Sequence, residues 1–261
     1  MGGYVEIGGI RTWYEAAGQG EPLVMLHGGL STNAQWGGLI DTLAEHYRVV
    51  AAERRGHGRT PDVAGPITYE AMADDTIGLI ENVVEGPTHV LGWSDGAIVG
   101  MMVALRRPDL VRKLVFYSGN VEVAAVDPKF LAVSHGPADM AAFEPFRVAY
   151  QATSPDGPDH WPVVFDKLTT LWRAEVPLSL PELGTLGART LLLFADDDLI
   201  ALDHAVALYR AIPDVELAVM PGTSHMAHLE KPALFSELVL DFLRLDPVLT
   251  LAPLRRGGAT V

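Results

Sequence analysis

The pentapeptide Gly92-Trp93-Ser94-Asp95-Gly96 contains the residue types that a reactive serine requires. It matches Gly-x-Ser-x-Gly, a motif in which the serine lies on a tight turn between a strand and a helix. Residues 88–91 read as a strand and residues 97–105 read as a helix. Small residues must flank such a strained turn, and the helix directs unpaired backbone N–H groups at a developing negative charge. The pattern predicts that Ser94 is a nucleophile for carbonyl carbon.

A serine hydroxyl is a weak nucleophile, so the chain must also supply a base and an acid that orients the base. Two predicted strands late in the chain end in suitable residues. Residues 190–194 run into three consecutive aspartates at positions 196–198, and residues 215–220 run into a segment that ends at His225. Because the carboxyl ends of parallel strands meet at one edge of a sheet, we expect these groups beside Ser94.

The rest of the sequence alternates between short apolar stretches, typical of strands, and longer segments with helical spacing. The first two strands flank Gly8-Gly9, which indicates a β-hairpin. The eight predicted strands cover residues 4–7, 10–15, 22–27, 47–53, 88–91, 111–118, 190–194 and 215–220. The predicted helices cover residues 33–46, 69–84, 97–105, 203–211 and 232–243. This order predicts an α/β fold with a doubly wound, mostly parallel eight-stranded sheet.

Residues 121–187 interrupt this alternation and contain many aromatic side chains and loop signals. Insertions of this length commonly serve function, so we predict a helical cap that covers a pocket and excludes water. The alternative is a helical decoration that packs its aromatic side chains into a core of its own. The predicted organisation is a core of residues 1–120 and 188–245, the cap, and a flexible tail over residues 246–261.

The composition is that of a globular enzyme, with 261 residues of which 49% are hydrophobic and 20% are charged. The net charge of −14 argues against nucleic acid and anionic membranes as partners. The chain has no cysteine, no recognisable signal peptide and no apolar run near the ~20 residues that span a bilayer. We expect a cytoplasmic monomer or homodimer that acts on a small molecule. No His-x-His or HExxH spacing indicates zinc, so we expect neither a metal nor a cofactor.

Five segments, in order, resemble the α/β-hydrolase superfamily, and the resemblance covers the chain up to the tail. They are His27-Gly28-Gly29, Arg55-Gly56-His57-Gly58-Arg59, the pentapeptide at 92–96, Asp196-Asp197-Asp198 and Gly222-Thr223-Ser224-His225. The resemblance implies the α/β-hydrolase fold with a cap, with Ser94 as nucleophile and His225 as base; His228 is the rival base. It favours Asp198 as the acid, because a small residue precedes it by three positions and an apolar pair follows. Asp197 is the alternative acid.

The resemblance also implies an oxyanion hole made of two backbone N–H groups. One belongs to Asp95, the residue after the nucleophile, and the other to Gly29, with Leu30 a less favoured donor. Residues 90–98 are similar to the biphenyl-hydrolase-like enzymes, in which an acid after the serine binds the α-amino group of amino-acid esters. The Asp95 side chain therefore has two interpretations: it selects cationic substrates, or it caps the following helix. The expected substrate-binding residues are Leu30, Trp93, Phe143, Phe146, Trp161, Trp172 and His228.

These features predict a serine hydrolase that cleaves a small carboxylic ester or lactone through an acyl-enzyme intermediate. Serine at position 94 excludes the chemistry of haloalkane dehalogenases and epoxide hydrolases, which use a carboxylate there. The alternatives are cofactor-free perhydrolases and C–C bond hydrolases of meta-cleavage products, which usually have a longer oxyanion loop than residues 27–31. The alternative from outside the enzymes is a ligand receptor or pseudo-hydrolase on the same fold, and an intact triad argues against it.

Overall fold

An eight-stranded sheet organises the chain. The computed structural model describes residues 2–133, 141–245 and 250–252. The strands are β1 (Gly2–Ile7), β2 (Ile10–Ala17), β3 (Pro22–Leu26), β4 (Arg48–Ala52), β5 (Thr88–Trp93), β6 (Val111–Tyr117), β7 (Arg189–Asp197) and β8 (Val215–Ser224). Their order across the sheet is β1-β2-β4-β3-β5-β6-β7-β8, and β2 pairs antiparallel with β1 and β4 while all other pairs are parallel. The predicted fold class is confirmed.

Helices connect the parallel strands. The helices discussed below are α1 (Leu39–Ala44), α2 (Tyr69–Leu79), α3 (Asp95–Arg106), α4 (Pro128–Leu131), α5 (Glu144–Thr153), α6 (Trp161–Arg173), α7 (Leu202–Ala211), α8 (Ala227–Glu230) and α9 (Pro232–Arg244). Within the part of the chain that the structure describes, no helix combines the length and apolar character needed to cross a membrane.

The central strands are buried on both faces, which explains why their sequences are apolar throughout rather than alternating. In β3, the side chains of Val24 and Leu26 join the core that includes α3. The intervening side chains of Leu23 and Met25 join the opposite core, which includes α9. All four side chains are completely buried, because successive residues of a strand point to opposite faces.

Two predicted helices are divided in the structure. The segment over residues 33–46 forms a 3₁₀ turn at Asn33–Trp36 and then α1, because Gly37 adopts a φ of 58° that ends the turn. The segment over residues 69–84 forms α2 and then a π-helical turn at Ile80–Val84. Neither division changes the order of the strands.

The last two strands are longer than the predicted residues 190–194 and 215–220. Pairing of β7 with β8 continues to Asp197 opposite Ser224, with a change of register after Ala195. The extension carries the residues after both strands beyond the edge of the sheet. The tight turn after β5 that carries Ser94, called the elbow below, also lies there. The carboxyl edge of the sheet therefore brings the three candidate catalytic segments together.

The segment predicted as a cap contains α4, α5 and α6. A cluster of polar contacts ties it to the loop after β4, where Oδ2 of Asp62 lies 2.6 Å from Nζ of Lys167 and 2.8 Å from Nε2 of His160. The division into core, cap and tail stays a prediction. Residues 134–140 of the cap lie outside the described residues, as does the tail apart from residues 250–252.

Candidate active site

Ser94 lies at the turn between β5 and α3. Its φ of 56° and ψ of −120° form a backbone conformation that costs about 1–3 kcal/mol in a residue other than glycine. A Cβ atom on Gly96 would lie 2.0 Å from the carbonyl oxygen of Leu26, and one on Gly92 would lie 2.2 Å from that of Gly96. Only glycine fits at either position. The two glycines let the elbow pack against β3 and present Ser94 at the edge of the sheet.

Asp198 and His225 form a hydrogen-bonded pair, in which Nδ1 of His225 lies 2.7 Å from Oδ1 of Asp198. The other carboxylate oxygen accepts hydrogen bonds from the Ser118 hydroxyl and the Ala195 N–H. Burial raises the pKa of Asp198, but the hydrogen bonds from His225 and Ser118 outweigh it and hold this pKa below its ordinary value. A charged acid that orients a histidine is the arrangement needed to activate a serine.

The structure separates the three consecutive aspartates. The side chain of Asp198 is 0% exposed and turns toward His225. Asp196 and Asp197 are exposed, and Oδ1 of Asp196 accepts a hydrogen bond of 3.1 Å from the N–H of Thr223. The geometry therefore favours Asp198 over Asp197 as the acid.

Ser94 and His225 line one cavity of about 200 Å³ at the carboxyl edge of the sheet. The carbonyl oxygen of His225 accepts hydrogen bonds from Nε1 of Trp93 at 3.0 Å and from the hydroxyl of Tyr117 at 2.8 Å. Trp93 directly precedes the nucleophile, so it ties the backbone of the histidine to the turn that carries Ser94.

The expected oxyanion donors Gly29 and Asp95 also line this cavity. Leu30, which we also expected to bind substrate, lies outside the lining of the cavity: the residue is 3% exposed, and its N–H donates to Nε2 of His57 at 3.1 Å. Burial lowers the pKa of His57 to about 3, so the ring stays neutral and Nε2 remains an acceptor. The N–H of Leu30 therefore holds the loop in place. The N–H of Gly29 remains the candidate oxyanion donor from this loop.

The carboxylate of Asp95 is buried and makes two side-chain contacts. Oδ1 accepts a hydrogen bond of 2.9 Å from the hydroxyl of Tyr69, and Oδ2 accepts one of 3.0 Å from Nε1 of Trp172. These donors belong to α2 and α6, so the contacts are not those of a side chain that caps its own helix. Asp95 is 3% exposed, which leaves little of its surface for a cationic substrate.

Aromatic and aliphatic side chains form most of the cavity wall. Four of the expected substrate-binding residues line it, namely Trp93, Phe143, Phe146 and Trp172. The sequence interpretation missed Tyr69, Asn120, Val126, Phe130, Val176, Leu199, Ile200 and Met226. The pair Leu199-Ile200 directly follows the acid and could have been inferred from that position, whereas Tyr69 lies far along the chain from every catalytic motif.

Trp161 and His228, which we expected in the pocket, lie outside its lining. Trp161 is 1% exposed and packs on the rings of Tyr150 and Phe165 inside the segment predicted as a cap. His228 is also 1% exposed, and its Nε2 lies 2.9 Å from the carbonyl oxygen of Gln35. Burial lowers the pKa of His228 to about 4, so the ring is a neutral core group.

The described residues contain no group of three or more metal-ligating side chains that could hold an ion. The imidazoles of His27, His57 and His228 each contact backbone groups instead.

Residues 23–238 match a sequence model described as the alpha/beta hydrolase family. The chain belongs to this family. It is 27% identical to RutD of Agrobacterium fabrum, which is named for carbamate hydrolysis, across 85% of this chain and 93% of RutD. It is 26% identical to the serine hydrolase BPHL of Mus musculus, across 92% of this chain and 85% of BPHL. These relatives are named hydrolases, and this α/β-hydrolase is an enzyme of that class.

Among solved structures, this α/β-hydrolase resembles the meta-cleavage product hydrolase CumD of Pseudomonas fluorescens IP01, with a TM-score of 0.80. The two chains are 22% identical, and the match covers 92% of this chain and 96% of CumD. At this identity the likeness shows the fold and not the substrate.

The buried histidines of this α/β-hydrolase predict that acid destabilises it. The pKa values of about 3 for His57 and about 4 for His228 lie well below the ~6.5 of an unfolded chain. At pH values between the folded and the unfolded pKa, the unfolded chain binds protons that the folded chain does not. The free energy of unfolding therefore falls as the pH falls through this range. From pH 7 to pH 5 we expect the two groups to remove about 4 kcal/mol, measured by urea unfolding.

A histidine variant tests the cause of this pH dependence. His228→Asn should reduce the difference in the free energy of unfolding between pH 7 and pH 5 by about 2 kcal/mol, because the imidazole at this position no longer titrates on unfolding. The matched control is His46→Asn, since His46 is exposed. Equal free energies of unfolding at the two pH values in the wild type would contradict the prediction.

Proposed function

We propose that this α/β-hydrolase cleaves small, neutral carboxylic esters, lactones included, through an acyl-enzyme on Ser94. The observation that carries the proposal is the meeting of Ser94 with the Asp198–His225 pair at one cavity. Gly29 and Asp95, whose backbone N–H groups are the proposed oxyanion donors, line the same cavity. Each component is a separate requirement of acyl transfer by a serine.

In the first half of the reaction, Oγ of Ser94 attacks the ester carbonyl carbon while Nε2 of His225 takes the hydroxyl proton. The carbonyl oxygen becomes an oxyanion and accepts hydrogen bonds from the N–H groups of Gly29 and Asp95. Asp198 holds the imidazole and stabilises its positive charge. The tetrahedral intermediate then expels the alcohol, which takes the proton from His225 and leaves the acyl group on Ser94.

In the second half, water enters and His225 takes one of its protons as the oxygen attacks the acyl carbon. The same two N–H groups stabilise the second oxyanion. Collapse returns the proton from His225 to Oγ of Ser94 and releases the carboxylic acid. The cycle consumes one water and restores every protein group to its starting state.

The lining of the cavity supports neutral substrates. It contains four aromatic cap side chains and, among the described residues, neither lysine nor arginine. Residues 134–140 of the cap also contain no lysine or arginine in the sequence. A substrate carboxylate held in this cavity would lose its hydration without gaining a positive partner, and Asp95 would repel it.

A matched pair of esters tests this substrate class. Methyl hexanoate and monomethyl adipate have the same chain length, and the second ends in a carboxylate. We expect kcat/KM to be about 100-fold or more lower for monomethyl adipate, because the buried carboxylate lacks a counter-charge. Rates are measured by quantifying the released methanol. Equal kcat/KM values would contradict the neutral class while leaving ester hydrolysis itself supported.

The other expected activities are distinguished with the same enzyme preparation. Turnover of 4-nitrophenyl acetate, methyl hexanoate or a simple lactone would separate an ester hydrolase from a receptor or pseudo-hydrolase. Binding of a small ligand together with no turnover of any ester or lactone would refute the proposed function. A C–C bond hydrolase would cleave a vinylogous diketone in preference to each ester.

A further inference from the structure

The proposed mechanism uses the backbone N–H of Asp95 and leaves its buried side chain without a role. We infer that the Asp95 carboxylate is a positioning group that couples the cap to the oxyanion hole, with Trp172 as the contact from the cap. The inference rests on the proposed function, because an oxyanion hole contributes to the reaction only if the enzyme catalyses acyl transfer.

The first observation is that one carboxylate joins the core to the cap. Its Oδ1 accepts a hydrogen bond of 2.9 Å from Tyr69, the first residue of α2 in the core. Its Oδ2 accepts one of 3.0 Å from Trp172, near the end of α6 in the predicted cap. Hydrogen bonds to a charged group in a buried setting are stronger than those between neutral groups. The position of α6 is therefore linked directly to the first residue after the nucleophile.

The second observation is the close packing of the oxyanion loop on the same two side chains. A Cβ atom on Gly29 would lie 2.4 Å from Oδ2 of Asp95 and 2.8 Å from Cζ2 of Trp172. The backbone of Gly29 therefore rests on the carboxylate and the indole ring. Both expected oxyanion donors, the N–H groups of Gly29 and Asp95, depend on where this carboxylate lies.

The third observation concerns Arg54, which is buried behind the loop. Its Nη2 donates to the carbonyl oxygens of His27 and Gly28, at 2.5 Å and 3.0 Å. Its Nε and Nη1 have no hydrogen-bond partner among the described residues. Burial lowers the pKa of Arg54 to about 10, and the charge of Asp95 opposes this change. The negative charge of Asp95 therefore favours the charged form of the side chain that holds the other end of the oxyanion loop.

Trp172→Phe tests the coupling, because it keeps an aromatic ring and removes the N–H that binds Asp95. With 4-nitrophenyl acetate we expect kcat to fall about 10-fold with KM unchanged, because the lost hydrogen bond acts through the oxyanion hole. Trp161→Phe is the matched control on the same helix, since Nε1 of Trp161 has no hydrogen-bond partner in the described structure and the ring lies outside the cavity lining. Its kcat should stay within about twofold of wild type.

A transition-state analogue separates positioning from a general loss of structure. A trifluoromethyl ketone adds to the serine and places an oxyanion in the hole, so its affinity should fall by the same factor as kcat in Trp172→Phe. Tyr69→Phe removes the other hydrogen bond from the core side and should lower kcat and analogue affinity in parallel. This second variant keeps the test decisive if Trp172→Phe does not fold, which is checked by circular dichroism.

Several results would overturn the inference. Unchanged kcat in Trp172→Phe and Tyr69→Phe, or a rise in KM alone, would mean that these residues line the cavity without positioning the oxyanion hole. An equal loss of kcat in Trp161→Phe would indicate a general effect on the cap. A rise in KM in Asp95→Ala confined to amino-acid esters would make Asp95 an amine receptor instead. Wild-type enzyme without ester turnover would refute the proposed function, and the coupling with it.

Discussion

Ser94→Ala should reduce ester hydrolysis by about 10⁴-fold or more, because no acyl-enzyme can form without the hydroxyl. Oxyanion stabilisation and substrate binding remain in this variant, so a small residual rate over water is expected. The rate is measured with 4-nitrophenyl acetate and with methyl hexanoate, whose spontaneous hydrolysis is slow. Loss of both activities by the same factor would assign both to one nucleophile.

The control for this variant is Ser154→Ala, which removes a hydroxyl from a residue at the end of α5, outside the cavity lining. It should keep kcat/KM within about twofold of wild type. Thermal unfolding of Ser94→Ala should resemble that of wild type, since alanine and serine occupy the same strained backbone. Retained hydrolysis in Ser94→Ala would contradict the assignment of the nucleophile.

Asp198→Asn should lower kcat by about 10⁴-fold, which is the size of effect seen when the acid of a serine–histidine–acid site loses its charge. The carboxylate accepts from Nδ1 of His225 at 2.7 Å, and its second oxygen is held by Ser118 and Ala195. An amide in this position does not stabilise the imidazolium and favours the wrong tautomer of the ring. The measurement is kcat with 4-nitrophenyl acetate at saturating substrate.

The neighbouring aspartate provides a matched control for the acid. Asp197→Asn changes the same functional group one residue earlier, on a side chain that is exposed. Its kcat should stay within about twofold of wild type. Loss of activity in Asp197→Asn with retention in Asp198→Asn would reverse the assignment that the geometry supports.

Most of the fold could be predicted because its signals are local. Strands such as β3 are apolar throughout since both faces of the sheet are covered, and the helices between them have clear spacing. The elbow could also be predicted from the sequence. The clash that excludes a Cβ atom at Gly92 or Gly96 involves only the turn itself and the neighbouring strand. The residues at which strands and helices begin and end were harder to predict, since a residue such as Gly37 divides an element without changing its apolar spacing.

The candidate acid could not be chosen from the local sequence alone. Three consecutive aspartates have the same chemistry, and the choice depends on which one turns inward to a histidine 27 residues away in sequence. The resemblance to a family favoured Asp198, and the contact with His225 supports it. The composition of the segment by itself left the three side chains equivalent.

The pocket was harder to predict because it depends on position along a helix as well as on its face. Trp161 and Trp172 are both aromatic residues of α6, and eleven residues of helix separate them by about 16 Å along its axis. Only the end that carries Trp172 reaches the cavity. The contact between Trp172 and Asp95 joins residues 77 positions apart, so no short pattern could indicate it.

Covalent labelling with a serine-reactive fluorophosphonate tests the central claim most directly. The wild-type enzyme is treated with the reagent and digested, and the modified peptide is mapped by mass spectrometry. We predict a single modification on Ser94, absent in Ser94→Ala and much slower in Asp198→Asn, because the reagent requires an activated hydroxyl and an oxyanion hole. Modification of a different residue, or equal labelling of Asp198→Asn and wild type, would contradict the account.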